Sequence, residues 1–315
     1  MARNWLRSPR ADALSRSRGG NWWECGHCGL VACETAIEAD TLEKHLAERM
    51  RAAVFQLADD DPLFVEAYAL RTVALRHRKV AVPTDNRQRA ALHEPYAPVG
   101  AAAALHDLAS IQPVPVSLTI LCRNDEIKAL RETLAELAEA FDDILLLVDD
   151  SGPKPERIAV PGVRVVERSL DGDFAAQRNH AQKAARHAWV LQLDSDETLD
   201  PTALGDLARV AAVAERSGSI SVGLPRRNVV DGVLSDLFPD VQYRLNRRQV
   251  RYVGRVHERP ALPRGWRDGF IAPNLVLHHS LSAERVRSRS TRYEALSPGE
   301  GRLFEAEALL RPFRP

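Results

Sequence analysis

The chain has 315 residues, enough to bury a sizeable core in one large domain with a smaller companion. Its 43 basic side chains balance 43 acidic ones, so a global electrostatic drive toward nucleic acid is not expected. No apolar run approaches the roughly 20 residues of a membrane-spanning helix, and four cysteines do not make a secreted disulfide framework; a reducing, cytoplasmic setting is the expectation.

Residues 1–20 are basic, rich in Ser and Arg, and lack the apolar centre of a secretory signal, so they read as a flexible lead-in. Residues 21–81 read as a small helical accessory region, with Leu42, Leu46 and Met50 on one helix face. It opens with Cys25-x-x-Cys28-Gly, one half of a zinc knuckle. A structural Zn²⁺ site wants four ligands, for which Cys33 and either His27 or His45 are candidates; a second C-x-x-C is missing. The competing reading is a helical module without metal. Residues 82–115 are rich in Pro and Ala and read as a linker with one short helix.

From Val116 the pattern becomes strand–helix alternation. SLTILCRN is an apolar strand holding Cys122, which is expected to act as a small hydrophobe. Glu126–Phe141 places Ile127, Leu130, Leu134, Leu137 and Phe141 at helical spacing. DILLLVDD is a continuous apolar run, as in a strand covered on both faces, and GVRVVE is a third strand. Asp173–His187 reads as a helix leading into WVLQLDSDE, and Asp200-Pro201 starts another helix running to Ser217. This rhythm predicts an α/β domain with a mostly parallel sheet flanked by helices over residues 116–297. Beyond Ser219 the texture is β-rich and arginine-rich, ending in a helix from Ala283 to Leu296 and a tail over 298–315.

The segment Trp189–Glu197 carries the most chemistry. Its apolar run buries a strand, and Asp194 and Asp196 emerge together at the carboxyl end, where open α/β sheets bind ligands. Two carboxylates so close repel unless a cation or donor lies between them. Hard oxygen ligands suit Mn²⁺ or Mg²⁺, and those ions suit a substrate with phosphates.

Together TILCRNDE, LLVDDSG, DFAAQRNHA leading into LQLDSDETLDP, the late PDVQYRLNRR and GRVHE, and LHHSLS before a helix with Arg292-Tyr293 resemble a family 2 glycosyltransferase of GT-A fold. The resemblance covers a little over half the chain, from about Val116 to Leu296. The branch it resembles is that of lipopolysaccharide-core and other cell-surface glucosyltransferases, which share an R-x-N-type strand and a V-H-E tripeptide. It implies an inverting, metal-dependent transfer of a hexose from a UDP- or GDP-sugar to a hydroxyl acceptor, whether glycan, lipid-linked or small molecule. It further implies Asp196 on the metal, Asp194 on the metal or ribose, and Asp149 or Asp150 on the base or ribose. Arg123 and Asn124 would end the first strand beside them, and Arg178 would approach the nucleotide from its helix. Glu258 is the first candidate for the general base and Asp240 the second; His279, or His278, would complete the metal shell.

Duller readings stand beside these. Asp149 and Asp150 suit a turn with Ser151 and Gly152, Arg178 and Glu258 suit plain ion pairs, and His279 suits a packed imidazole. Glu197 reads as a structural residue behind the metal ligands. The arginines of YRLNRRQVRYVGRVHER read as a solvated β-face or as a patch for acceptor phosphates or a membrane surface. Two rival functions remain. One is an inactive GT-A-like module that binds nucleotide and recruits partners. The other is a haloacid-dehalogenase-like phosphatase, since LDSDET fits D-x-D-x-T; no lysine follows Lys183 to serve it.

Overall fold

The structure, a computed structural model, describes residues 5–26, 29–39, 41–58, 60–94, 99–151 and 161–313. The chain divides into two compact units, essentially Met1–Gln112 and Pro113–Arg314, with Ala272–Asn274 assigned to the first. Among the described residues no helix is long and apolar enough to cross a membrane.

The first unit is mixed α/β, not helical. Trp5–Leu6, Trp22–Cys25, Val31–Cys33 and Leu63–Phe64 form one antiparallel sheet, and Val54–Gln56, Ala102–Asp107 and Lys79–Pro83 form another. The lead-in holds a helix, Pro9–Arg18, capped by the Ser8 hydroxyl. The stretch expected to be a linker supplies Ala102–Asp107, the central strand of the second sheet, and Ile111 is buried. Leu42, Leu46 and Met50 do share a buried face, packed with Phe55, Leu63 and Leu70.

The zinc expectation meets a register problem. Cys33 pairs with Trp22, three residues along the neighbouring strand from Cys25. Three strand rises come to roughly 10 Å, whereas two thiolates on one zinc sit about 4 Å apart. Cys25 is buried in the apolar core, and Cys28 and His27 lie outside the described residues.

In the second unit the strands are β1 (Val116–Arg123), β2 (Ile144–Asp149), β3 (Val163–Glu167), β4 (Trp189–Asp194), β5 (Glu197–Leu199), β6 (Ser221–Val230), β7 (Val233–Leu234), β8 (Asp240–Arg247), β9 (Tyr252–Val253), β10 (Arg259–Pro260), β11 (Gly269–Ile271) and β12 (Leu277–Leu281). The helices are α1 (Ile127–Ala140), α2 (Phe174–Ala184), α3 (Pro201–Arg216), α4 (Ala283–Leu296) and α5 (Leu303–Leu310). The main sheet runs β3-β2-β1-β4-β8-β6-β12-β5, with β7 and β11 also paired to β6. The first four strands are parallel, as predicted; beyond β4 the pairing is mixed, so the sheet is less parallel than expected.

Local chemistry explains the elements. In α1, Ile127, Leu130, Leu134 and Leu137 are buried at helical spacing, each adding roughly 1.5–3 kcal/mol of apolar burial. Asp200 caps α3 by accepting from Thr202 N at 2.8 Å, and Pro201 takes the first position, where no N–H is needed. The tail expected after residue 297 holds α5, where Leu309 is buried with Val230, Leu281 and Val286.

One feature of the topology sets the site. Only Ser195 and Asp196 separate β4 from β5, yet β8, β6 and β12 stand between these strands in the sheet order. The sheet therefore curls back toward the tip of β4. That curl pairs Glu197 with His279 and carries β12 to the acidic tip.

Candidate active site

A cleft of about 320 Å³ opens at the carboxyl ends of β1, β2 and β4, the position favoured for ligands in α/β sheets. Arg123, Asp149, Arg178, Asp194, Asp196 and Glu258 all reach it. So do Arg285, Arg289, Arg292 and Tyr293 from α4. Asn124, Asp150, Asp240, His278 and His279 do not line it, although His279 touches Asp196.

Asp149 ends β2 and accepts from Ser151 Oγ at 2.5 Å, Leu170 N at 3.1 Å and Ser151 N at 3.2 Å. Burial alone would raise its pKa, but these donors outweigh it and the carboxyl stays below its ordinary range. The turn role and a place in the cleft are thus combined in one residue. Asp150, next along, is exposed.

Asp194 differs from its expected role as a metal ligand. Its Oδ1 accepts from Arg178 at 2.7 Å and its Oδ2 from Arg244 at 2.7 Å. Burial would push the carboxyl up, but the two guanidiniums win and hold it far below the carboxylate range. Arg178 also donates to Glu258 Oε1 at 2.5 Å, and Arg244 donates to Glu197 at 3.1 Å. Arg226 extends the network to Glu197 at 2.8 Å and to Asp240 at 2.5 Å. Glu197 Oε2 accepts from Asp194 N at 3.1 Å, so Glu197 lies behind the acidic tip and braces it.

Asp240 sits apart from the reading that made it a general base. Its oxygens accept from Arg226, Asn228 and Gln242, and burial is outweighed by those partners, which lower its pKa. It is a strut of β8 against β6.

Glu258 does face the cleft, at the end of a tight loop after β9. Gly254 turns that loop with φ +94°, and a Cβ there would come within 3.3 Å of the Val256 carbonyl; His257 also has positive φ. Arg178 and, at 3.7 Å, Arg244 engage Oε1, whereas Oε2 has no partner among the described residues.

Asp196 and His279 form the second half of the acidic tip. His279 Nε2 lies 3.3 Å from Asp196 Oδ2, and Nδ1 lies 2.7 Å from Asn228 Oδ1. Asn228 turns its amide nitrogen to Leu237 O and Asp240, so Nδ1 must be the donor and Nε2 is aimed at Asp196. A ring held through Nδ1 with Nε2 beside a carboxylate is the usual dress of a metal-binding histidine. Neighbouring oxygens on one octahedral ion lie about 3 Å apart, close to the separation seen here. Asp196 and His279 therefore fit two places on a divalent cation; Asp194 does not. Among the described residues no three His, Cys, Asp or Glu side chains are grouped to hold a metal. Arg285 meets Asp196 at 2.9 Å, and burial of Asp196 is outweighed by His279 and Arg285, which lower its pKa.

The sequence does not single out Arg285 and Arg289, Arg292 enters only with the resemblance, and Arg244 reads only as one arginine of the late run. The signal for Arg244 was the alternation of β8, in which Gln242, Arg244 and Asn246 share a face. Most arginines of the late run are internally engaged. Arg247 meets Glu215 at 2.7 Å, and Arg248 and Arg255 donate to the carbonyls of Ala185 and Gly172.

Residues 117–247, from β1 to the end of β8, match the family model for glycosyl transferase family 2. The glycosyltransferase SunS of Bacillus phage SPbeta, and its prophage-derived counterpart in Bacillus subtilis, are 26% identical over 143 residues, 43% of this chain and 32% of theirs. A TPR repeat-containing protein of Synechococcus elongatus is 35% identical over 85 residues, 27% of this chain and 21% of that protein. The matched stretches thus span a third or less of the curated relatives. Among solved structures, S. aureus TarS covers 62% of this chain and 42% of its own at 13% identity and a TM-score of 0.34, a likeness too slight to carry weight. The family 2 match lies over the strands that build the cleft, and the curled, mixed α/β sheet is consistent with a GT-A-like domain.

Proposed function

We propose that this chain moves a hexose from a nucleotide-diphosphate sugar to a hydroxyl-bearing acceptor with inversion at the anomeric carbon. The observation that carries the reading is the pairing of Asp196 with His279 beside a cleft at the ends of parallel strands. Asp149, across that cleft, is an ionised acceptor suited to a ribose hydroxyl or base N–H of the donor. Asp196 and His279 would hold Mn²⁺ or Mg²⁺, which when bound offsets charge on the departing diphosphate.

The chain's own residues move the proton. Glu258 Oε2, the unengaged oxygen, takes it from the acceptor hydroxyl as that oxygen bonds the anomeric carbon. The bond from that carbon to the diphosphate oxygen breaks, and the electron pair leaves with the nucleoside diphosphate. Arg178 fixes the carboxylate through Oε1, leaving the other oxygen directed by the same contact.

The test is a thermal-shift panel of nucleoside diphosphates with and without Mn²⁺, followed by donor turnover. A Mn²⁺-dependent shift lost in Asp196→Ala and His279→Ala is expected, as is a shift kept but turnover lost in Glu258→Gln. No shift with any nucleoside diphosphate would sink the reading. A nucleotide-binding module without catalysis is the second reading, favoured by the engagement of both Asp194 oxygens and of Glu258 Oε1. A clear nucleotide shift with no hydrolysis or transfer across many donors and acceptors would select it.

A further inference from the structure

His279 stands in one row across three strands, paired with Glu197 of β5 on one side and Asn228 of β6 on the other. Asn228 and His279 are 0% and 1% exposed, so their polar atoms must find partners inside the protein. The Asn228 amide is fully spent. Its Oδ1 lies 2.7 Å from His279 Nδ1, and its Nδ2 donates to Leu237 O at 3.3 Å and to Asp240 Oδ2 at 3.2 Å. A reversed amide would turn its oxygen toward two acceptors, a carbonyl and a carboxylate, so only one orientation is satisfied.

Asp240 is held in turn. Arg226, two residues before Asn228 on the same face of β6, donates to Asp240 Oδ2 at 2.9 and 2.5 Å and to Glu197 Oε1 at 2.8 Å. Glu197 adjoins Asp196 in the chain, and Asp196 Oδ2 lies 3.3 Å from His279 Nε2. Asp196, His279, Asn228, Asp240, Arg226 and Glu197 therefore close a ring of contacts through one peptide link. Of these side chains Asp196 alone lines the cleft, and the others stand behind it. A neutral imidazole carries its proton on one nitrogen only, and what faces Nδ1 decides which. With the proton on Nε2, His279 would donate to Asp196 and have no electron pair for a cation. With it on Nδ1, Nε2 and Asp196 Oδ2 both offer electron pairs to the space between them.

Resting on the metal half of the proposed function, we propose that Asn228 is a positioning residue that keeps the His279 proton on Nδ1 and so reserves Nε2 for a divalent cation. The Arg226–Asp240 pair stands behind it and keeps the amide from reversing. Asp240 needs only an acceptor oxygen for this, which an amide at the same position would still offer. Without Asn228 the proton is free to move to Nε2, and the imidazole and Asp196 then satisfy each other and exclude the ion. The ring thus chooses between a pair closed on itself and a pair open to a ligand.

The experiment compares wild type, Asn228→Leu and Asn228→Asp. Nitrogen-15 NMR of metal-free protein at about pH 8.5, where an ordinary imidazole is neutral, reads the His279 ring, assigned by its absence in His279→Gln. The electron paramagnetic signal of free Mn²⁺ measures uptake of the ion, alone and with UDP, and a melting point is recorded for each protein. Wild type is expected to carry the Nδ1 proton. Asn228→Leu, of similar volume but without an acceptor, is expected to move it to Nε2 and to weaken Mn²⁺ roughly tenfold to hundredfold. Asn228→Asp keeps an acceptor, so it should keep the Nδ1 proton and near-native Mn²⁺ affinity, although its charge beside Asp240 lowers the melting point. Affinity that follows the tautomer supports the proposal. Affinity that falls in step with the melting point, or an Nε2 proton in wild type, overturns it. Equal Mn²⁺ uptake by all three proteins overturns the proposal alone and leaves the proposed function standing. No uptake by wild type, with or without UDP, overturns the metal half of that function as well.

Discussion

Replacing Arg178 with Met tests the buried ion network directly. Arg178 is 1% exposed, with Asp194 at 2.7 Å and Glu258 at 2.5 Å. With charge centres near 4 Å and an effective dielectric of 20, each attraction is about 4 kcal/mol before desolvation. Removing the guanidinium also removes its own desolvation cost, which offsets much of that sum. The residue left worst off is Glu258, 10% exposed, whose remaining partner Arg244 is 3.7 Å away; Asp194 keeps Arg244 at 2.7 Å and is a third exposed. The net loss should therefore come mostly from one stranded carboxylate, about 3–5 kcal/mol as for other broken buried pairs. Urea unfolding followed by tryptophan fluorescence, with Trp189 as the sole tryptophan kept in both proteins so that the signal comes from the buried core of the same unit, measures it. Adding Glu258→Gln to Arg178→Met removes the stranded charge and should recover about half the loss. A single variant within about 1 kcal/mol of wild type, or a double variant no better than the single, would refute the reasoning.

Other expectations follow from the same network. Asp194, Asp196 and Asp240 all have folded pKa values below the ordinary one, so their stabilisation is complete above about pH 4 and drains away as pH falls through the depressed folded values. Acid unfolding should thus begin below about pH 4, and Asp240→Asn should shift its midpoint; an acid profile unchanged in that variant would contradict the pairing with Arg226. The same variant should keep the nucleotide-dependent thermal shift, because Asp240 lies off the cleft; loss of that shift with the fold intact would restore Asp240 to the site. Burial pushes the Cys122 thiol up to about 12, so at pH 8 it should resist iodoacetamide in the folded protein and react in urea, read by mass spectrometry. Equal labelling in both states would show that the thiol is exposed.

What the sequence disclosed was local. The helical spacing in α1, the Asp200-Pro201 start of α3 and the apolar runs of β2 and β4 each lie within a few residues of their cause. The parallel half of the sheet was legible for that reason. Ala102–Asp107 was not, because a run of alanines has little strand preference of its own. Its strand exists through pairing with Val54–Gln56 and Lys79–Pro83, tens of residues away. The site divides the same way. Asp149, Asp194 and Asp196 announce themselves at strand tips, whereas Arg244 reaches Asp194 across 50 residues of sequence and Asn228 orients His279 across 51. Partners at such distances leave no periodic trace.

That difference decides how the acidic tip is read. Two carboxylates one residue apart must be neutralised somehow, and sequence alone offers a cation between them as the simplest solution. The curl of the sheet supplies two separate solutions instead. Arg178 and Arg244 come from α2 and β8 to take both oxygens of Asp194. The turn after β4 swings Asp196 toward β12, where His279 and Arg285 meet it. Asp194 is thus bound into the protein's own charge network. Asp196 keeps partners that an incoming ligand can displace, for Arg285 is nearly half exposed and makes no buried commitment. Arg285 and a divalent cation would compete for Asp196, and a guanidinium released from that carboxylate would be available to a diphosphate in the cleft. Metal and diphosphate would then load cooperatively, each relieving the charge the other brings. Titrating Mn²⁺ against pyrophosphate should show each tightening the other by the same factor, and Arg285→Gln should weaken that coupling. Independent binding of the two would show that Arg285 stays on Asp196 throughout.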